Sequence, residues 1–137
     1  MRYAAIALAV GAAAAASLAF ANPGPSPLGP APASGAGLAD DQCLLTTDIR
    51  NHSVVDKNTL LLDAGGRSRG VYRFTMRNGC LNSAVSSDPL GINQAGRAKV
   101  CKPKDLGLTA RSGLCHIDSI VKLTPEEVAA LPRKLKP

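Results

Sequence analysis

The stretch CHIDS, residues 115–119, combines a thiol, an imidazole, a carboxylate and a hydroxyl, the side chains of nucleophilic enzymes. It lies within LCHIDSIVKL, which is typical of a β-strand, and strand side chains alternate between two faces. Cys115 and Ser119 would then share one face, while His116 and Asp118 share the other. No Cys–His dyad forms in this arrangement, and no nucleophile faces the His–Asp pair. The pattern favours a polar strand over a catalytic site.

The first 21 residues have the pattern of a secretory signal peptide. One cation, Arg2, precedes an uncharged run from Ala4 to Phe20, and the residues up to Ala21 match the small-x-small rule of signal peptidase. A membrane anchor is the alternative, but an Ala-rich run of about 17 residues is at the lower limit for crossing a bilayer. We therefore expect cleavage after Ala21, no membrane span in the mature chain, and a periplasmic or secreted location.

The rest of the chain divides into three parts. Residues 22–40 predict a disordered linker, because five of the ten prolines lie there among Gly, Ala and Ser. Residues 41–123 predict one small folded domain, and residues 124–137 a short helix and a basic tail. A domain of this length buries a modest core and usually needs covalent cross-links.

Four cysteines lie in the mature chain, an even number in an exported protein, which predicts two disulfides. Three connectivities can be drawn, and we favour Cys43–Cys115, joining the first and last strands, with Cys80–Cys101 nested inside. A structural zinc site would need close cysteine pairs such as C-x-x-C, and none is present. No cofactor is expected.

Short strands separated by turns dominate the domain. In VYRFTMR, residues 71–77, the side chains of Tyr72, Phe74 and Met76 are expected to face a core, whereas those of the alternating residues face outward. We predict a mainly β fold, a small antiparallel sheet or partly open barrel of about six short strands.

One short helix is predicted near the end. Thr124 can cap it, Pro125 suits its first position, and Glu127 completes a capping box. Pro132 ends it within about two turns.

A run of basic residues suggests an anion-binding surface. Four arginines fall within eleven residues, and they could bind an acidic polysaccharide or lipid headgroup of the cell envelope: Arg67, Arg69, Arg73 and Arg77. A solvated basic face is the alternative. Nucleic acid is not expected as a partner, because Tyr72 and Phe74 are assigned to the core and cannot stack on bases.

The two histidines are weak candidates for a metal site. His52 and His116 could meet if the first and last strands were neighbours, but nothing else in the sequence requires it. The glycine-containing stretch DAGGRSRG, residues 63–70, lacks the G-x-x-x-x-G-K-[ST] pattern of a phosphate-binding loop.

The sequence from Cys43 onward resembles a family of small exported proteobacterial proteins catalogued as a domain of unknown function. The resemblance rests on the four cysteine positions, on YRF followed by NGC, and on LTPEEVAALP near the end. It implies the domain limits and the compartment, and it implies no activity. Together, these observations predict a non-enzymatic binding or structural module of the envelope. The alternatives are anionic-polymer or headgroup binding through the arginines and, ranked lower, a His-centred metal site or enzyme.

Overall fold

The structure is a computed structural model that describes residues 28–94 and 98–137. The predicted signal peptide and residues 22–27 of the predicted linker lie outside the described residues. The strands are β1 (Leu44–Leu45), β2 (Ile49–Asp56), β3 (Thr59–Ala64), β4 (Gly70–Met76), β5 (Gly91–Gln94), β6 (Lys99–Val100), β7 (Leu106–Ala110), β8 (Gly113–Cys115) and β9 (Ile117–Lys122). One α-helix, α1 (Pro125–Ala130), follows β9, and 3-10 turns cover Thr46–Asp48, Pro103–Asp105 and Arg133–Leu135.

The strands form three antiparallel sheets. The central sheet has the order β2-β3-β4-β9, a second sheet has the order β5-β7-β8, and β1 pairs with β6. The predicted mainly β, antiparallel fold with one short helix is confirmed. The structure has nine strands rather than about six because β1 and β5 were not expected, and because LCHIDSIVKL, expected as one strand, contributes to both β8 and β9.

The main core lies on one face of the central sheet. Tyr72, Phe74 and Met76 are buried, as predicted, and Leu60 and Leu62 of β3 lie beside them. Residues of the two smaller sheets close this core from the other side. The central position of β4, paired on both edges, explains why its alternation is the clearest in the sequence.

The opposite face of β4 is also covered, which differs from the expectation. Val71 and Arg73 are each 7% exposed. Val71 belongs to a second apolar cluster with Leu28, Leu61, Leu123 and Leu131. The cover therefore comes from the C-terminal segment, through Leu123 and Leu131, and from Leu28 of the predicted linker.

Residues 28–40, which we call the arm, lie against the domain. The N–H of Gly35 donates to the carbonyl of Asp118 (2.9 Å), and the N–H of Ile120 donates to the carbonyl of Ala36 (2.9 Å). The N–H of Leu38 donates to the carbonyl of Cys101 (2.7 Å). The described part of the predicted linker is thus packed rather than disordered, because its unpaired backbone groups bind those at the free edge of β9.

Two disulfides are present, as predicted, but the favoured pairing is wrong. The bonds join Cys43 to Cys101 and Cys80 to Cys115. The reason lies in the topology: β1 pairs with β6, whereas β9 pairs with β4, so the first and last strands are not neighbours. The two bonds are interleaved along the chain rather than nested.

The predicted helix is confirmed. The N–H of Glu127 donates to Thr124 Oγ1 (3.2 Å), and the N–H of Thr124 donates to Glu127 Oε2 (2.7 Å), which completes the capping box. Within the described ranges, no helix is long and apolar enough to span a bilayer.

Candidate functional site

The CHIDS stretch is not one continuous strand. β8 ends at Cys115, and β9 begins at Ile117. Met76 pairs with Ile117 and Thr75 pairs with Ser119, so Asp118 is the extra residue of a β-bulge. The bulge resets the alternation, and Ile117 and Ile120 both contact the main core.

The absence of a Cys–His dyad rests on the disulfide at Cys115 rather than on the strand faces that the sequence predicted. The sulfur of Cys115 is bonded to Cys80, and His116 is exposed. The prediction of one unbroken period of two was wrong, because the bulge shifts the residues after Asp118 by one position. Asp118 does not orient His116 in this structure; its carboxylate binds other groups.

Asp118 connects β9 to the arm and to the end of β4. Its Oδ1 lies 2.6 Å from Arg77 Nε and accepts a hydrogen bond from Ser34 Oγ at 2.7 Å. The hydrogen bond from Ser34, followed by that from Arg77, holds the pKa of Asp118 below its usual value. The carboxylate therefore stays ionised at neutral pH.

An open groove of 880 Å³, which we call the Lys102 groove, lies beside this ion pair. The arm, the turn after β6 and the β8–β9 junction form its walls. Its cationic groups are Lys102, Lys104 and Arg77, with His116 beside them, and its carboxylate is Asp118. The apolar part of its lining includes Leu38, Leu106, Leu114 and Ile117.

Two covalent anchors and one side chain hold the walls of the groove. Cys101 directly precedes Lys102, and Cys115 directly precedes His116, so each disulfide ends at the groove. Asp105 Oδ2 accepts the N–H of Cys101 (3.1 Å) and the N–H of Lys102 (2.8 Å). The turn that carries Lys102 and Lys104 is therefore fixed at both ends. Only the placement of this turn beside β8 and the arm identifies the groove.

The four arginines of the predicted anion-binding surface do not form one exposed face. Arg73 is buried beneath the arm: its Nη1 donates to the carbonyl of Leu28, and its Nη2 donates to that of Pro30 at 2.9 Å. Burial lowers the pKa of this guanidinium. Arg77 belongs to the Lys102 groove, and Arg67 and Arg69 lie in the β3–β4 loop. Arg73 was expected to face solvent, and it is buried because the arm covers this face of β4.

The histidines do not meet. His52 is on β2 and His116 precedes β9, and β2 and β9 are opposite edges of the central sheet with two strands between them. Three strand spacings of roughly 4.8 Å already put their backbones about 14 Å apart across the sheet. The register adds to this separation, because His52 is level with Lys122 at the far end of β9 from His116. One group in the described part of the chain has the spacing of metal ligands: Asp40, Cys43 and Cys101. Its two sulfurs form a disulfide and so lack the thiolate that a metal requires.

Comparison of the chain with protein-family models, with curated proteins and with solved structures gives no match. The resemblance to the exported family of unknown function therefore stays a prediction, and function has to be argued from the geometry of the chain.

Proposed function

We propose that this chain is an exported, non-enzymatic module that binds an anionic polymer of the cell envelope in the Lys102 groove. The observation that carries the proposal is the composition of this groove. Lys102, Lys104 and Arg77 line it against the single carboxylate of Asp118, and Arg77 already neutralises that carboxylate. The groove therefore has an excess of positive charge, and a chain of anionic groups would complement it.

Binding is favoured over catalysis by the state of the reactive groups. Cys115 cannot act as a nucleophile while it is bonded to Cys80. Asp118 accepts bonds from Ser34 and Arg77, and its lowered pKa makes it a poor proton donor near neutral pH. A groove that recognises charge needs neither group to react.

The anchoring of the walls supports a binding role as well. Both disulfides and the hydrogen bonds that Asp105 accepts fix the shape of the groove before a ligand binds. Such preorganisation lowers the entropy lost on binding. Two disulfides are also typical of proteins that fold in an oxidising compartment. Together with the predicted signal peptide, they favour a periplasmic or secreted location.

The proposal is tested by titrating the oxidised mature chain with fluorescein-labelled heparin, an anionic probe, and with neutral dextran. We expect heparin to bind and dextran not to bind. Raising the salt concentration above about 0.1 M should weaken heparin binding, because the screening length there is about 10 Å.

A matched pair of variants locates the binding. Lys102→Gln with Lys104→Gln should lower heparin affinity by about fivefold, taking roughly 0.5 kcal/mol for each exposed charge contact. Arg133→Gln with Lys134→Gln removes the same charge from the exposed tail and should change the affinity little. Equal losses in both double variants would mean that net charge alone attracts heparin, and the groove would lose its role.

A further inference from the structure

A second groove, of 610 Å³, lies at the end of the central sheet where the β3–β4 loop meets α1. It shares no lining residue with the Lys102 groove. Its charged residues are Arg50, Arg69, Lys122 and Asp63. Its apolar residues are Ala64, Val71, Leu123, Pro125 and Val128. We call it the Arg50 groove.

Arg50 reaches this groove because of a backbone irregularity. Ile49 pairs with Ala64 and Asn51 pairs with Asp63, so Arg50 is the extra residue of a β-bulge on the edge strand β2. A bulge redirects the side chain of its extra residue. The guanidinium of Arg50 lies over Gly65, so closely that a Cβ at Gly65 would overlap it. A side chain at position 65 would therefore displace the Arg50 guanidinium.

A second glycine, Gly70, leaves space for the side chain of Lys122. A Cβ at Gly70 would lie 2.7 Å from Lys122 Cε, and Gly70 has a φ of +144°. The Lys122 ammonium lies 5.4 Å from the ring centroid of Tyr72 and 3.4 Å from the carbonyl of Ser68. Gly65 and Gly70 of DAGGRSRG therefore make room for cationic side chains, a role that the search for a phosphate-loop pattern could not reveal.

The positive charge of this groove is not balanced by an ion pair. The ion pair that the described residues form joins Arg77 to Asp118, outside this groove. Asp48 lies within electrostatic reach of Arg50. Asp48 Oδ2 also accepts the N–H of Ser68 (2.9 Å), which fixes the β3–β4 loop. Three cations, Arg50, Arg69 and Lys122, thus stand against two carboxylates, Asp63 in the lining and Asp48 beside it, which leaves a net positive charge for an external anion.

The apolar side of the groove restricts the ligand further. Val71 and Leu123 are buried in the second apolar cluster, whereas Pro125 is exposed and Val128 half-buried. The apolar surface that a ligand can reach is therefore that of Pro125 and Val128. A fully hydrated anion would leave this surface unused, whereas an aliphatic chain would cover it. The volume lies within the range of small-molecule sites.

We propose that the Arg50 groove binds an amphiphilic monoanion, a carboxylate head on a short aliphatic chain. The head contacts Arg50 and Arg69, and the chain lies over Pro125 and Val128. This inference does not depend on polymer binding in the Lys102 groove.

The test titrates the oxidised, isotope-labelled mature chain with three probes, octanoate, acetate and octanol, and measures binding by NMR. Octanoate has both head and chain, acetate has the head alone, and octanol has the chain without charge. We expect octanoate to bind at least tenfold more tightly than either fragment. Amide signals from residues 63–71 and 122–128 should shift. Shifts confined to the Lys102 groove, or acetate binding as tightly as octanoate, would overturn the proposal.

Two variants test the head contact. Arg50→Gln should weaken octanoate binding by fivefold or more, and Arg111→Gln, an exposed charge outside both grooves, should leave it unchanged. Gly65→Ala retains every cation but displaces the Arg50 guanidinium, so it should weaken octanoate binding as well. Octanoate affinity unchanged in both Arg50→Gln and Gly65→Ala would refute the assignment, and heparin binding in the same variants should stay at the wild-type level.

Discussion

Replacing Leu28 by alanine should release the arm from the central sheet. Leu28 is 3% exposed and contacts a cluster that includes Leu61, Val71, Leu123 and Leu131. Truncation of a buried leucine to alanine costs about 2–5 kcal/mol, depending on how far the site collapses. We expect the free energy of unfolding to fall by about 2 kcal/mol, the lower end of this range. The loss is limited because residue 28 lies at the end of the arm, which can detach locally so that no empty cavity has to be maintained.

The assay combines urea unfolding with amide hydrogen exchange. The N–H of Ile120 is an informative probe, since its acceptor is the carbonyl of Ala36 in the arm. If arm opening exposes this amide, a loss of about 2 kcal/mol makes its exchange roughly 30-fold faster. The exchange rate of the Phe74 amide, in the middle of the central sheet, should change only as far as the global stability changes.

Leu114→Ala is the matched control, because Leu114 is 58% exposed and undergoes the same chemical change. It should alter the free energy of unfolding by less than about 0.5 kcal/mol. The reasoning fails if Leu28→Ala and Leu114→Ala have equal effects, or if Ile120 already exchanges at the rate of an unprotected amide in the wild-type chain.

Two further predictions concern the cross-links and the acid range. Replacing Cys43 and Cys101 together by serine should lower the free energy of unfolding by about 4 kcal/mol, as expected for a loop of this length. Alkylation of this double variant should find no free thiol, and a labelled thiol would contradict the pairing. The hydrogen bond from the Ser68 amide holds the pKa of Asp48 below its usual value, so its stabilising effect is present above about pH 4 and is lost as pH falls through the lower, folded-state pKa. Asp48→Asn should therefore flatten the acid limb of a stability–pH curve, and an unchanged slope would show that Asp48 does not contribute to it.

The sequence predicted those parts of the fold that are set by local pattern. The alternation around Tyr72 and Phe74 identified the core face of β4, and the capping box at Thr124 identified α1, because each signal lies within a few consecutive residues. The even number of cysteines predicted two disulfides on the basis of compartment chemistry.

The remaining features depend on contacts between distant segments. The bulge at Asp118 breaks the period of two, and nothing in the strand itself signals an extra residue. The pairing of Cys43 with Cys101 follows from the pairing of β1 with β6, two-residue strands that are far apart along the chain. The arm carries no periodic pattern, since backbone hydrogen bonds and the buried Arg73 hold it. For the same reason, neither groove could be assembled from the sequence: their cationic residues come from separate loops and strands.

The interleaving of the disulfides has a consequence for biosynthesis. A chain that emerges with its N-terminus first presents Cys43 and then Cys80, which are not partners, before Cys101 appears. An oxidant acting in order of emergence would join Cys43 to Cys80 and later Cys101 to Cys115, and neither bond is native. Those bonds would have to be exchanged through mixed disulfides before β1 could pair with β6. The yield of correctly bonded protein thus depends on oxidation being slower than folding, or on an isomerase that meets the chain before it folds.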